Sequence, residues 1–333
     1  MILYLIKKDL TRLENIGSFM NVKDSVYSET SFFAFKKTVY VPSLRRATLK
    51  YYLSLFFNFF FFQHRQAFLP GRVPVSNVDH VLDKKIPFTP SWVKIYIDFA
   101  KYWIRLLSFI LRRYGRKAYA PAGDFISGMA DLYTFAAQVY RKNLSTTSRP
   151  FYIKRPLFMV IHMLDPHLMC IPSLHVMVVI YTYTMFVKIA KSFGEEEKLK
   201  DQILEMKYGA LAIVEAILFV KQHSINCIAA ALYAMNCYSN ELFPMQEAEH
   251  FISLLFSKIP DFGVHTKTIH PSYAPKIKLP DAVQNEIREY ILNLFECFVS
   301  ERDPKKSWNE PLLNFLKTSL FQNSVIGKSS TVK

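Results

Sequence analysis

The sequence predicts an all-α fold: a membrane helical bundle of about five or six helices with a C-terminal helical tail. Three observations predict it. Half of the 333 residues are apolar, with 29 Phe and 19 Tyr, which excludes disorder over most of the length. Only 9 residues are Gly, too few for a turn-dense all-β protein or a glycine-rich nucleotide fold. Uncharged runs of helix length recur: residues 166–187 hold no Lys, Arg, Asp or Glu over 22 residues, and residues 222–240 none over 19.

The elements follow in order. Residues 1–47 mix charges with short apolar runs and form an N-terminal segment without a clear period. The apolar start, Met1 to Ile6, ends too early at Lys7, Lys8 and Asp9 for a secretory signal. An almost solid aromatic run, Tyr51 to Phe62, opens a membrane-embedded core over residues 48–240. Pro70, Gly71 and Pro74 mark a loop that ends near Ile86 to Pro90. A helix fits Trp92 to Leu111, made amphipathic by Lys94, Asp98, Lys101 and Arg105. A basic loop at Arg112 to Lys117 leads to a second helix over Phe125 to Tyr140. The most apolar helices are then Leu174 to Val187, Ala210 to Val220 and the run from Gln222 to Asn240. From residue 241 to 333 the chain turns polar and proline-rich. That stretch reads as a soluble or interfacial tail with one amphipathic helix near Asp281 to Phe298.

A bilayer core takes about 20 apolar residues per helix, and several of these helices are shorter. Mean hydropathy is +0.09. A soluble bundle with a very apolar core is therefore the competing architecture. The net charge of +15 suits an anionic membrane surface or a phosphorylated substrate. Nucleic acid is not expected, because the basic residues are spread out and no nucleic-acid module appears. Cys170, Cys227, Cys237 and Cys297 form no CxxC pair, so neither a zinc nor a redox motif is present. His162, Asp165 and His167, and likewise Glu247, Glu249 and His250, lack zinc spacing.

Three short pieces carry chemistry. The first is Lys142, six residues, then Arg149-Pro150. The second is Pro172-Ser173-Leu174-His175. The third is Lys221-Gln222-His223, opening an apolar helix. Phosphoryl transfer needs positive charge and hydrogen-bond donors around three oxygens. Lys142, Arg149 and Lys221 supply charge, and a guanidinium binds two oxygens at once. Ser173 and the amides of a helix start add neutral donors. Two histidines offer a nucleophile and a general acid.

Taken together, the pieces resemble the three signature motifs of the type-2 phosphatidic acid phosphatase superfamily. That family reads Lys-x6-Arg-Pro, then Pro-Ser-x-His, then Ser-Arg-x5-His-x3-Asp. Leu174 and the Lys-x-His opening are similar to the branch of inositol phosphorylceramide and sphingomyelin synthases. Asp83 to Tyr96 resembles the stretch those proteins carry before a transmembrane helix. The resemblance covers about residues 78–238. It implies a multi-pass integral membrane phosphatase or phosphotransferase acting on a phospholipid or other lipid phosphate, with no metal or other cofactor. It makes His223 the nucleophile that forms a phosphohistidine and His175 the general acid. Lys142, Arg149 and Ser173 would bind the phosphoryl oxygens.

Two positions depart from the family pattern. The family's Ser-Arg is Ala216-Ile217 here, with Lys221 standing in for the arginine. The family's Asp, four residues after the nucleophile, is Cys227. An acid there holds the imidazole and stabilises its charged state, and losing such an acid in a serine protease triad costs about four orders of magnitude. Asn226 can orient the ring but not compensate its charge, and Glu215 is a second candidate from the preceding helix. Two further readings follow: an inactive relative that binds phospholipid headgroups, and a structural membrane protein in which the motifs do not converge.

Overall fold

The computed structural model describes residues 25–69, 71, 73–152, 154, 156–257 and 279–329, with side chains to residue 319. The Met1 to Ile6 start lies outside them. The fold is all-α apart from two three-residue strands. α1 (Ser31–Tyr40) and α2 (Pro42–Leu55) lead through a π turn (Phe56–Phe61) into α3 (Phe62–Phe68). Strand β1 (Val75–Asn77) precedes α4 (Val93–Tyr114) and α5 (Tyr119–Tyr140). Strand β2 (Leu144–Thr146) follows, then α6 (Pro156–Leu164), α7 (Leu174–Ser192), α8 (Lys200–Phe219), α9 (Ile225–Tyr238) and α10 (Met245–Leu254). The tail forms α11 (Asp281–Ser300) and α12 (Glu310–Ser329).

Helix ends follow local chemistry. α4 stops at Gly115, whose φ of 56° suits a residue without a Cβ. The expected start of α5 at Phe125 moves back to Tyr119. Pro121 lies in its first turn, where a missing N–H costs nothing. The expected start of α8 at Ala210 moves back to Lys200, because its charges are satisfied internally. Glu205 accepts from the Ser25 hydroxyl and, at 2.9 Å, from the Val26 N–H, while Lys207 pairs with Glu247 at 2.8 Å. A sequence read for apolar runs treats such charges as surface.

α7 is the central helix and packs against α4, α5, α8 and α9. The five or six spans expected from the sequence reduce to one: among the described residues only α7 is long and apolar enough to cross a membrane, and 78% of its apolar window is buried inside the protein. Length and composition alone do not distinguish such a helix from a core helix. α5 turns Asp124, Asp131, Thr134 and Gln138 outward, and Asp131 pairs with Lys50 of α2 at 2.7 Å. Ionised groups on a lipid-facing surface are costly.

The tail is not a separate segment. Ile287, Ile291, Phe295 and Phe298 of α11 are buried, and α11 packs on α9. Trp308 stacks on Phe135 at 3.9 Å and donates to Gln138 at 2.7 Å.

Helices α4, α5, α7, α8 and α9 run alternately up and down. The start of α3 and the C-terminal ends of α5 and α8 therefore meet the N-terminal ends of α4, α7 and α9. Contacts at that end include Gln63 with the Leu168 amide, Tyr140 with Pro172, and the Thr89 N–H with the Phe219 carbonyl at 2.7 Å. The parallel pair β1–β2, in register Val75 to Leu144, closes this end.

Candidate functional site

The loop before α7 is fixed from both sides. The Ile171 N–H donates to Ser145 Oγ of β2 at 2.7 Å, the Cys170 N–H donates to the Ser145 carbonyl at 3.2 Å, and Tyr140 Oη donates to the Pro172 carbonyl. Ser173 then sits at the N-cap of α7 with extended backbone, and His175 lies in the first turn. Opposite, α8 ends at Phe219 and the chain turns sharply. Lys221 takes a positive φ of 54°, and α9 begins after Ser224, whose hydroxyl accepts from the Asn226 N–H. His223 stands in that turn.

The two turns meet. His223 Nε2 lies 3.4 Å from Ser173 Oγ and 3.4 Å from His175 Nδ1. Tyr96 and Phe99 of α4 pack on the His175 ring, with Tyr96 stacked at 4.8 Å. Arg149 approaches from the loop after β2. Its guanidinium donates to Gln222 Oε1 and to the Asp165 carbonyl, each at 3.1 Å. His175 and His223 line a small cavity of about 10 Å³, together with Phe59, Gln63, Asp165 and His167. That is room for about one water. A phosphoryl group enters only if a wall moves.

His167 is the third histidine of the cavity, with its ring 6.2 Å from that of His223. Its Nε2 lies 2.7 Å from Thr147 Oγ1, and its N–H donates to Asp165 at 2.8 Å. Burial, reinforced by Arg149 and the neighbouring rings, lowers the His167 pKa to about 3. Burial lowers His175 to about 4 and holds His223 well below the ordinary imidazole value, with His175 and His167 adding to it. All three rings are neutral at pH 7.

Several expected roles are not what the side chains do. Lys142 is exposed at the end of α5, and its side chain makes no hydrogen bond or ion pair among the described residues. Lys221 turns from the cavity and donates to the Asp83 carbonyl. Its conformation places the ammonium behind the histidine turn, so it does not replace the family's arginine. Asn226 does not hold His223: its Nδ2 donates to the Val78 carbonyl at 3.0 Å, and its Oδ1 accepts from Tyr290 at 2.6 Å. Cys227 is buried with its thiol against that of Cys170. Glu215 accepts from the Phe256 N–H at 2.6 Å on the far side of α8. The His223 Nδ1 is consequently buried without a hydrogen-bond partner.

Sequence reading missed Gln222, His167 and Gln63. Gln222 carried a signal, since it neighbours His223. In the sequence His167 stands out only as part of a cluster that lacks zinc spacing. Among the described residues no group of three His, Cys, Asp or Glu side chains is arranged to hold a metal.

No family model, curated protein or solved structure matches this chain. The resemblance to type-2 phosphatidic acid phosphatases rests on the three sequence motifs alone.

Proposed function

We propose that this end of the bundle is a phosphate-ester site acting on a lipid phosphate, as phosphatase or phosphotransferase, through a phosphohistidine at His223. The observation that carries the reading is the approach of Ser173, His175 and His223 within 3.4 Å from turns 48 residues apart. A neutral His223 has the lone pair that a nucleophile needs. Its Nε2 attacks phosphorus while the bond to the leaving oxygen breaks, and His175 delivers a proton to that oxygen. Water or a second alcohol then attacks the phosphohistidine, the P–N bond breaks, and His175 takes the proton back. His175 carries a proton at neutral pH only when an anion is beside it, so phosphate binding and acid strength are coupled. Arg149 supplies the nearest cationic charge.

The orphaned Nδ1 of His223 favours a second reading, an anion pocket without turnover. One experiment separates the two: phosphate release from a panel of lipid phosphates by the purified protein, beside His223→Ala and Cys227→Asp. Release that disappears in His223→Ala supports the covalent route. Silence in the wild type with release in Cys227→Asp identifies an idle site. Silence in all three, together with phosphate binding that Arg149→Ala abolishes, supports the headgroup-binding reading.

A further inference from the structure

The helix formed by α2, the π turn and α3 carries an apolar face on the outside of the protein. Some of its polar side chains point into the protein. Asn58 is 8% exposed and binds Thr134 and Arg141, and Gln63, fully buried, accepts from the Leu168 N–H. Leu44, Ala47 and Tyr51 are buried, but many of its other apolar side chains point out. Leu49, Leu53, Phe56, Phe57 and Phe61 are each between 49% and 59% exposed. The spacing explains the continuity of this face. Leu49, Leu53 and Phe56 repeat at helical intervals of four and three. A π turn brings residues five apart into register. Phe61 accordingly stacks on Phe56, with ring centroids 6.1 Å apart. Phe32 and Phe35 of the adjoining α1 are exposed to the same degree.

A face of this kind is stable only against an apolar partner, and charge identifies which. From residue 30 to residue 78 the chain contains no Asp or Glu and seven Lys or Arg. Lys36, Arg45, Arg46 and Arg65 are exposed beside the aromatic face. A second copy docking face to face would set this cationic surface against itself. Outward aromatic side chains flanked by basic residues are the composition of a helix lying in the headgroup region of an anionic leaflet.

We propose that residues 31–68 dock the protein on an anionic lipid bilayer, with Phe56, Phe57 and Phe61 inserted and the neighbouring lysine and arginine side chains on the headgroups. Phe59 and Gln63 of the same helix line the histidine cavity. Docking therefore sets the cavity wall against the membrane. The inference does not depend on the chemistry proposed for His223.

The test is co-sedimentation of the full chain with phosphatidylcholine vesicles, with and without phosphatidylserine, at low and high salt. Binding to the anionic vesicles is expected to be at least about tenfold tighter and to weaken with salt. The triple change Phe56→Ser, Phe57→Ser, Phe61→Ser is expected to lose about tenfold or more, as is the pair Arg45→Glu, Arg46→Glu, which leaves the aromatic face intact. The readout is vesicle binding and not phosphate release, so failure of the catalytic reading leaves this one standing. Equal binding to both vesicle types overturns the proposal. So does wild-type binding by the arginine pair, or a dimer in vesicle-free solution that the serine variant converts to monomer.

Discussion

At the residue scale, the histidine cluster ties stability to pH. A histidine whose pKa is lowered on folding opposes protonation that the unfolded chain accepts. His167, with a folded value of about 3, binds no proton between pH 6.5 and pH 3, while its unfolded counterpart does. Stability is thus fully present above about pH 6.5 and is lost as pH falls toward the folded values. His175 and His223 shift in the same direction. Urea unfolding at pH 7 and pH 4 should differ by on the order of 3 kcal/mol or more, and His167→Asn should shrink that difference. An unchanged midpoint would show that the rings are hydrated. The order and spacing of the motifs made Ser173, His175 and His223 legible in the sequence. The roles of Asn226 and Lys221 were not, because Tyr290, Val78 and Asp83, which capture them, lie far away in sequence.

At the element scale, uncharged stretches located α7 and α9 well, and amphipathic periodicity located α4 and α11. The helices that were missed or truncated have identifiable reasons. α8 carries charges whose partners, Ser25 and Glu247, come from distant segments. α6 is nine residues long, and α10 ten. α1 lies where charged and apolar residues alternate without a helical repeat. Packing between elements is tight at particular points. A Cβ on Gly128 of α5 would stand 2.1 Å from Tyr181 Oη, which donates to the Phe125 carbonyl. Gly128→Ala must displace that ring from the α5–α7 interface, at an expected cost of about 1–3 kcal/mol in denaturant unfolding. Tyr181→Phe should recover part of the loss in the double variant, since the hydroxyl is the nearest clashing group.

At the scale of the whole molecule, the tail belongs to the bundle. Polar composition after residue 240 suggests a detachable segment, yet α11 buries an apolar stripe at Ile287, Ile291, Phe295 and Phe298. Amphipathic periodicity reveals that stripe, but not that its partner is α9, which lies far away in sequence. Phe295→Ala is expected to lower global stability by about 3–5 kcal/mol, observed as a single shifted thermal transition. A separate early transition for the tail would contradict the packing.

Asp83 links these regions. One carboxylate oxygen accepts from the Ile225 N–H at 3.0 Å, the other from the His80 N–H at 2.7 Å, and its carbonyl receives Lys221. His80 in turn lies flat against Tyr290 of the tail, with ring centroids 4.0 Å apart. The turn bearing His223 is therefore tethered through residues 78–86 to Tyr290, more than sixty positions further along the chain. A fluctuation that peels α11 away strips Tyr290 from both His80 and Asn226 together. The start of α9 and the tail then belong to one cooperative opening unit, so the order of the histidine turn is no greater than the grip of the tail helix.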